Sequence, residues 1–324
     1  MDLNKLVADS SQHFIKLREQ IQTVIVGQQN LIDRLIIALL TGGHVLIEGA
    51  PGLAKTLAVT ILAQAVQCQC KRIQFTPDLL PSDLLGTAIY QPKEERFQIK
   101  KGPIFTQIVI ADEINRAPAK VQSALLEAMG ERTVTIYGET FQLSTPFCVF
   151  ATQNPLEYEG TYPLSEAQLD RFMFKTIVPY PQREEERQII HRMAAIDNRC
   201  SIDSVISAEE IVRIKSTVNA IYIDEKVVNY ILDIIFATRD PQKYRLHPQK
   251  ALEQVASPRA TLSLVLASKA YAFLNKRAYV TPYDVRSIAH DVLRHRLALS
   301  HEALIEGYTV DLFIDKILNT VAIP

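Results

Sequence analysis

Two neighbouring residues, Lys55 and Thr56, carry side chains suited to binding a nucleoside triphosphate. They end the run GAPGLAKT, residues 49–56, in which two glycines precede an amine and a hydroxyl. Backbone N–H groups of a glycine-rich loop can surround phosphate oxygens, a lysine can reach the β and γ phosphates, and a threonine can ligate Mg²⁺. The pattern predicts a phosphate-binding loop. The residues predicted to touch the nucleotide here are Gly49, Ala50, Pro51, Gly52, Leu53, Ala54, Lys55, Thr56 and Leu57.

Such a loop needs a strand before it and a helix after it. Residues 44–48 form a short branched apolar run that favours a buried strand, and residues 57–66 have the length and composition of a helix. The helix N-terminus would add its partial positive charge at the phosphates. At Ala54 the sequence departs from the strict pattern, which has glycine there and so more backbone freedom. A chance glycine turn is the alternative.

A second motif, an acidic pair at the end of a predicted strand, favours the nucleotide interpretation. Residues 107–111 read as a strand that runs directly into Asp112 and Glu113. Ligands of an open α/β sheet gather at the carboxyl ends of its strands. Asp112 could therefore hold Mg²⁺, and Glu113 could polarise the water that attacks the γ phosphate. An acidic turn is plausible alone, but the two motifs together predict an NTPase.

Asn154 is the third candidate for this edge of the sheet. It follows the apolar run 147–151, which predicts a further buried strand, and it precedes Pro155. Its amide could orient the attacking water beside Glu113. Ordinary turn chemistry before a proline is the alternative.

The elements that position these residues alternate along the first half of the chain. Five predicted strands, four of them alternating with helical segments, indicate an α/β fold with a parallel sheet covered on both faces. Residues 88–99 and residues 133–143 each alternate around a turn, which predicts two β-hairpins added to this sheet.

The second half predicts an all-α lid. We place the domain boundary between residues 1–182 and residues 183–324, because strand patterns mostly end near Pro181. Residues 240–256 contain two prolines and are expected to form an exposed loop. The predicted helices span 183–195, 208–221, 225–239, 258–277, 282–297 and 310–321.

Composition supports an ordinary enzyme. The chain has 324 residues, of which 48% are hydrophobic, and its 35 basic and 36 acidic side chains give a net charge of −1. We therefore do not expect nucleic acid as a partner. No apolar run approaches the roughly 20 residues of a membrane span, and no leader pattern begins the sequence, so we expect a cytoplasmic protein. The cysteines are interpreted as buried, reduced thiols: Cys68, Cys70, Cys148 and Cys200.

Several segments resemble those of the MoxR-type ATPases of the AAA+ superfamily. The similar strings are VGQ, GGHVLIEGAPGLAKT, FTPDLLPSDLLG, DEINRAP, QSALLEAM, ATQNP and LSEAQLDRF, which span most of the first half. The resemblance implies that GAPGLAKT is the Walker A loop with Lys55 as a catalytic residue. It implies that Asp112 and Glu113 form Walker B and that Asn154 is the sensor-one residue.

The resemblance also implies roles for residues outside the loop. Arg171 matches the arginine finger that reaches a neighbouring subunit's γ phosphate, with Arg116 as an alternative trans-acting arginine. Arg259 matches sensor two, which touches bound phosphate. Val26 and Gly27 match the adenine contacts of related ring ATPases. The two hairpins resemble the helix-two insert and the pre-sensor hairpin of this clade.

The implied function is Mg²⁺-dependent ATP hydrolysis by a homo-oligomeric ring, with a hexamer expected. Hydrolysis would drive chaperone-like remodelling, maturation, or cofactor or metal insertion in a client protein. A protein with a von Willebrand factor A domain is a further partner implied by the family. The alternatives are a non-hydrolysing ATP-dependent switch, against which Glu113 argues, and a helicase-like motor on DNA, against which the net charge argues.

Overall fold

We describe the protein from a computed structural model, which defines residues 3–155, 160–194, 202–246 and 251–324. The strands are β1 (Val45–Glu48), β2 (Cys70–Gln74), β3 (Gly86–Gln91), β4 (Arg96–Lys101), β5 (Ile108–Asp112), β6 (Thr133–Ile136), β7 (Glu139–Gln142), β8 (Cys148–Gln153), β9 (Phe174–Ile177), β10 (Leu252–Gln254) and β11 (Ala298–Leu299). The helices are α1 (Leu3–Val24), α2 (Gln29–Thr41), α3 (Lys55–Ala65), α4 (Pro81–Leu85), α5 (Ala119–Glu131), α6 (Glu166–Leu169), α7 (Arg183–Met193), α8 (Ala208–Asn219), α9 (Glu225–Arg239), α10 (Pro258–Leu274), α11 (Pro282–Leu293), α12 (His301–Ile305) and α13 (Val310–Thr320).

A five-stranded parallel sheet forms the centre of the first half, in the order β2-β5-β8-β1-β9. Strand β5 is buried along its whole length, as expected of a strand covered by helices on both faces. Because all five strands run the same way, the loops after β1, β5 and β8 meet at one edge. The predicted α/β fold with a helical lid is confirmed.

The two predicted hairpins are present beside this sheet. Strands β3 and β4 pair antiparallel, as do β6 and β7. The second hairpin turns through Tyr137 and Gly138, which both have positive φ, at 50° and 83°. That geometry matches the twist of the flanking strands. The rings of Phe97 and Tyr137 lie 4.9 Å apart, so the hairpins also contact each other.

The lid helices begin close to their predicted positions because their cap residues are strong signals. Ser207 accepts a hydrogen bond from the backbone N–H of Glu210, and the Glu210 carboxylate accepts one from the N–H of Ser207. This reciprocal pair starts α8 as predicted. Helix α11 likewise starts after Thr281, with Pro282 in its first turn.

The expectation of an exposed loop over 240–256 is wrong for part of that segment. Leu246, Ala251 and Ala256 are buried. Strand β10 lies within this segment and pairs with the distant strand β11. Residues 247–250 lie outside the described ranges. Two prolines and several charges suggested exposure, but pairing with a distant strand has no local sequence signal.

The lid packs tightly against the first half. One apolar core includes residues from both halves of the chain, and a buried ion pair joins Arg34 of α2 to Asp291 of α11 at 2.6 Å. The domain boundary after residue 182 therefore stays a prediction, since packing continues across it.

The prediction of buried, reduced cysteines is confirmed for Cys68 and Cys148 but only in part for Cys70. Cys68 and Cys148 are buried, Cys70 is half-buried, and all three are free thiols, while Cys200 lies outside the described residues. Burial raises the pKa of the Cys148 thiol to about 11, so it stays protonated at neutral pH. Among the described residues, no helix is both long enough and apolar enough to cross a membrane.

Candidate active site

A cavity of about 370 Å³ opens at the carboxyl edge of the sheet. The loop after β1 forms one wall, and the ends of β5 and β8 form the other. Ten of its eleven lining residues were predicted as site residues, and Thr152 is the addition. The lining residues are Pro51, Gly52, Leu53, Ala54, Lys55, Thr56, Leu57, Asp112, Glu113, Thr152 and Asn154.

Lys55 and Thr56 begin helix α3 and face the strand ends. The Lys55 amine donates to the backbone carbonyl of Gly49, and also to that of Gln153 at 3.4 Å. Gly49 itself lies close to the neighbouring backbone, because a Cβ added there would come within 3.0 Å of the Val178 carbonyl oxygen. Gly49 therefore allows close approach of the strands, while neither it nor Ala50 lines the cavity.

The Asp112 carboxylate accepts hydrogen bonds from three neighbouring side chains. It is buried, and the bonds come from Thr152 at 2.6 Å, from Thr56 at 3.1 Å and from Arg72 at 2.5 Å. A hydroxyl and a carboxylate offer only oxygen ligands, which suits a hard cation such as Mg²⁺. Among the described residues, no group of three or more His, Cys, Asp or Glu side chains could form a protein-only metal cage. The Asp112 carboxylate beside the Thr56 hydroxyl fits Mg²⁺, which is usually held by one or two carboxylates together with substrate phosphates.

Glu113 is held at the mouth of the same cavity by an unusual backbone conformation. Its φ is +56°, in the left-handed region, and its N–H donates to the Thr152 hydroxyl at 3.0 Å. The carboxylate accepts from Gln74 at 3.0 Å and from Arg116 at 2.9 Å. Arg116 therefore pairs within its own subunit in this structure. Asn154 is buried beside Glu113 in the cavity lining.

Ala54 adopts the left-handed conformation that its glycine-like position requires, with φ +53°. This conformation brings Cβ close to the carbonyl oxygen and costs about 1 to 2 kcal/mol for an L-residue. Ala54→Gly relieves this strain, but glycine also gives the unfolded chain more conformational entropy, which opposes folding. We expect the net effect to be a free energy of unfolding higher by on the order of 1 kcal/mol. Urea unfolding measures this, with Ala58→Gly in helix α3 as the control that should destabilise the protein. If Ala54→Gly instead lowered the free energy of unfolding, the claim that Ala54 is strained would be wrong.

A second, smaller cavity of about 170 Å³ adjoins the phosphate loop and shares Gly52, Leu53, Ala54 and Leu57 with it. Its remaining lining is mainly apolar and comes from the end of α1, the turn between α1 and α2, Pro181 and helix α7. The predicted residue Val26 lies in this lining, whereas Gly27 does not and instead approaches the carboxylate of Glu185.

Gln28 lines the smaller cavity and bonds to the phosphate loop. It lies in the left-handed region, with φ +51°, and its side-chain N–H donates to the Leu53 carbonyl at 2.9 Å. Its side-chain oxygen is buried with no hydrogen-bond partner. A buried acceptor without a partner costs about 1 to 3 kcal/mol, so it fits a ligand that brings a donor to this cavity.

Arg171 and Arg259 lie together in a third cavity, of about 280 Å³. Gly42 and Gly43 also line it, and they precede β1, whereas the phosphate loop follows β1. Arg171 likewise precedes β9, which is parallel to β1. The two predicted arginines are thus at the amino edge of the sheet, and the phosphate loop is at the carboxyl edge.

Comparisons with known proteins decide the family. A family model described as the ATPase family associated with various cellular activities (AAA) matches residues 44–174, and an AAA lid domain model matches residues 245–317. The chain is 46% identical over 306 residues to Chaperone MoxR1 of Mycobacterium tuberculosis, covering 94% of this chain and 81% of that protein. This chain belongs to the MoxR-type AAA+ ATPases.

Two further relatives agree with this assignment. Protein MoxR of Paracoccus denitrificans is 29% identical to this MoxR-type ATPase over 350 residues, covering 100% of this chain and 99% of the relative. A crystal structure from Cytophaga hutchinsonii, assigned as an ATPase, is 44% identical with a TM-score of 0.92 and covers 98% of this chain and 97% of its own.

In this MoxR-type ATPase, three contacts at the cavities were missed from the sequence. Thr152 and Arg72 both bond to Asp112, and Gln74 bonds to Glu113. Thr152 and Gln74 stand at the carboxyl ends of β8 and β2, which is the edge of the sheet where the sequence already placed the site. Arg72 could not be found from the sequence, because strand β2 carries exposed side chains at several positions and only the packing shows which one faces β5.

Proposed function

We propose that this MoxR-type ATPase hydrolyses ATP with Mg²⁺ at sites shared between adjacent subunits of a homo-oligomeric ring. The observation that carries the proposal is the separation of the two parts of the predicted site. Lys55, Asp112 and Glu113 line one cavity at the carboxyl edge of the sheet, whereas Arg171 and Arg259 line another at the amino edge.

The separation argues that the arginines act on a second copy of the chain. Strand β1 has four residues, so its first and last Cα atoms are three steps of roughly 3.3 Å, or about 10 Å, apart. Arg171 also donates to the backbone carbonyl of Leu126 within its own subunit. A guanidinium held in this place does not reach its own phosphate loop, so a complete centre needs the cavity of one subunit and the arginines of the next.

Within the cavity, each residue type has a chemical role. Lys55 would contact the β and γ phosphates, and backbone N–H groups of the loop would orient them. Thr56 and Asp112 would hold Mg²⁺, which neutralises phosphate charge when bound. Glu113 would accept a proton from the attacking water, and Asn154 would orient that water.

The base of ATP would occupy the smaller cavity beside Gln28. The buried side-chain oxygen of Gln28 has no hydrogen-bond partner, and the 6-amino group of adenine offers a donor. Guanine carries a carbonyl oxygen at that position, so this contact would favour ATP over GTP.

Replacing Gln28 tests the adenine contact. We expect Gln28→Ala to weaken ATP binding about two- to tenfold, since a hydrogen bond contributes about 0.5 to 1.5 kcal/mol, and to reduce the preference for ATP over GTP. Calorimetric titration of both nucleotides measures this. Gln12→Ala, on the exposed face of α1, is the control. If the affinity for ATP and the affinity for GTP fell equally, Gln28 would act only by holding the phosphate loop at Leu53 and not by contacting the base.

We further propose that the ring is a hexamer, that hydrolysis drives chaperone-like remodelling of a client protein, and that a protein with a von Willebrand factor A domain assists. The name Chaperone MoxR1 of the relative supports the general kind of activity. The exposed hairpins supply a surface for a client, with aromatic rings at Tyr90, Phe97 and Tyr137. The variant Glu113→Gln, loaded with ATP, is the bait for capturing both kinds of partner.

The experiment that tests the proposal measures ATP turnover per subunit against protein concentration, together with particle mass. Turnover should rise steeply as subunits associate, and the mass should plateau at six subunits. Turnover per subunit that is constant from the monomeric to the assembled range would refute the shared site. Nucleotide binding without any turnover at all concentrations would favour the non-hydrolysing switch.

A further inference from the structure

The segment that carries Arg171 is fastened to the lid at Asp170. The Asp170 carboxylate accepts hydrogen bonds from the Ser257 hydroxyl at 2.9 Å and from Arg296 Nε at 2.7 Å. Arg259 lies 3.8 Å from the same carboxylate. One side chain, adjacent in sequence to Arg171, thus contacts three residues of the lid.

Arg296 holds the backbone around Arg171 as well. Its guanidinium donates to the carbonyls of Asp170 at 3.1 Å, Phe172 at 2.7 Å and Met173 at 3.2 Å. Only 2% of the Arg296 side chain is exposed, so Asp170 is the counter-charge for a buried cation. A planar guanidinium with several fixed donors restrains an irregular backbone better than a flexible amine would.

His295 adds a further contact to the same segment. Its Nε2 lies 3.0 Å from the Phe172 carbonyl, and burial lowers the pKa of the ring well below its ordinary value. The ring is therefore neutral at neutral pH and donates from Nε2.

These contacts do more than the packing of a lid requires. Lid and core are also joined by the buried ion pair of Arg34 and Asp291, whose guanidinium lies 5.7 Å from the ring centroid of Phe174, the first residue of β9. The contacts at Asp170 and Arg296 instead act on the short segment between α6 and β9 that bears Arg171. They also bring Arg259, in the first turn of α10, to the same carboxylate.

We propose that Asp170 and Arg296 are positioning residues that hold Arg171 and Arg259 together for hydrolysis in the adjacent subunit. The proposal rests on the shared site described above. It makes the lid and the arginine-bearing segment one rigid unit, so the lid of each subunit moves with the group that acts on its neighbour's nucleotide.

The test is a mixing experiment that separates a defect in the arginines from a defect in the nucleotide cavity. Asp170→Asn keeps the shape of the side chain but removes its charge. We expect it to bind ATP normally and to lower kcat about 10²-fold, the scale of a misplacement of about 1 Å. Its KM for ATP should change little, because its own phosphate loop is intact.

Subunits with Lys55→Ala lack nucleotide binding but carry intact arginines. Mixed with Asp170→Asn subunits, they should restore turnover to the level reached by a mixture of Lys55→Ala and Arg171→Ala. The matched control is Asp311→Asn, because Asp311 pairs with Arg294 at 3.1 Å within the lid. This control should keep wild-type turnover when it is measured alone.

Three results would overturn the proposal. One is wild-type kcat in Asp170→Asn. Another is that Lys55→Ala subunits restore turnover when mixed with Arg171→Ala but not when mixed with Asp170→Asn. That result would place the defect of Asp170→Asn in its own nucleotide cavity. If neither mixture regained turnover, the proposal of a site shared between subunits would be wrong, and the positioning role would be wrong with it.

A milder variant keeps the test valid if Asp170→Asn does not fold. Ser257→Ala removes one hydrogen bond to Asp170 and leaves the ion pair with Arg296. We expect kcat to fall about tenfold and to recover in the same mixture, in line with the loss of one charge-assisted hydrogen bond. Ser257 also caps α10, because its hydroxyl accepts a hydrogen bond from the backbone N–H of Arg259 at 3.1 Å. Ser207→Ala removes the corresponding cap from α8 without touching Asp170, and so controls for the loss of a cap. Equal kcat in these two serine variants would overturn the proposal.

Discussion

A variant with Arg171→Ala is expected to bind ATP as the wild type does but to hydrolyse it about 10³-fold more slowly or worse. An arginine finger stabilises charge that develops on the transferring phosphoryl group, so its loss lowers kcat while ground-state binding is kept. Arg171 lies at the amino edge of the sheet with Arg259, away from the phosphate loop of its own subunit. The loss should therefore be seen only in assembled protein.

Steady-state kinetics and nucleotide titration on the assembled protein measure this effect. Arg187→Ala is the matched control, because Arg187 is an exposed arginine that pairs with Glu184 at 3.1 Å on helix α7. A drop in ATP affinity equal to the drop in kcat would mean that Arg171 supports binding or folding. Wild-type turnover would remove Arg171 from the mechanism.

Glu113→Gln is expected to lower kcat about 10²- to 10⁴-fold and to leave ATP bound, because the amide cannot accept the proton of the attacking water. The side chain has the same size, so its contacts with Gln74 and Arg116 can re-form through the amide oxygen. The variant should accumulate as an ATP-bound assembly.

Single-turnover hydrolysis with radiolabelled ATP separates this chemical defect from slow product release. Glu184→Gln, an exposed glutamate on helix α7, controls for the loss of one carboxylate. A burst of product at the wild-type rate in Glu113→Gln would show that another group accepts the proton.

The phosphate-binding part of the site could be predicted from the sequence because its geometry is local. A strand, a glycine loop and Lys55 at the start of a helix are adjacent in the chain. The acidic residues Asp112 and Glu113 end another strand of the same parallel sheet, and parallel strands bring such ends together without further information. The five strands and most helix starts followed from apolar runs and capping residues in the same way.

The arginine side of the site depends on packing that no local pattern encodes. Asp170 and Arg296 are separated by 126 residues, and nothing near either one shows that they pair. The left-handed conformation of Gln28 is likewise set by the turn between two helices. The pairing of β10 with β11 escaped prediction for the same reason, because two short strands form only when distant segments meet.

The most direct measurement is a structure of the assembled Glu113→Gln protein with bound ATP and Mg²⁺. We predict that the Arg171 guanidinium of each subunit lies within about 3 Å of a γ-phosphate oxygen held by Lys55 of the adjacent subunit. Arg171 on the nucleotide of its own subunit, or at a position that faces no nucleotide in the assembled ring, would contradict it.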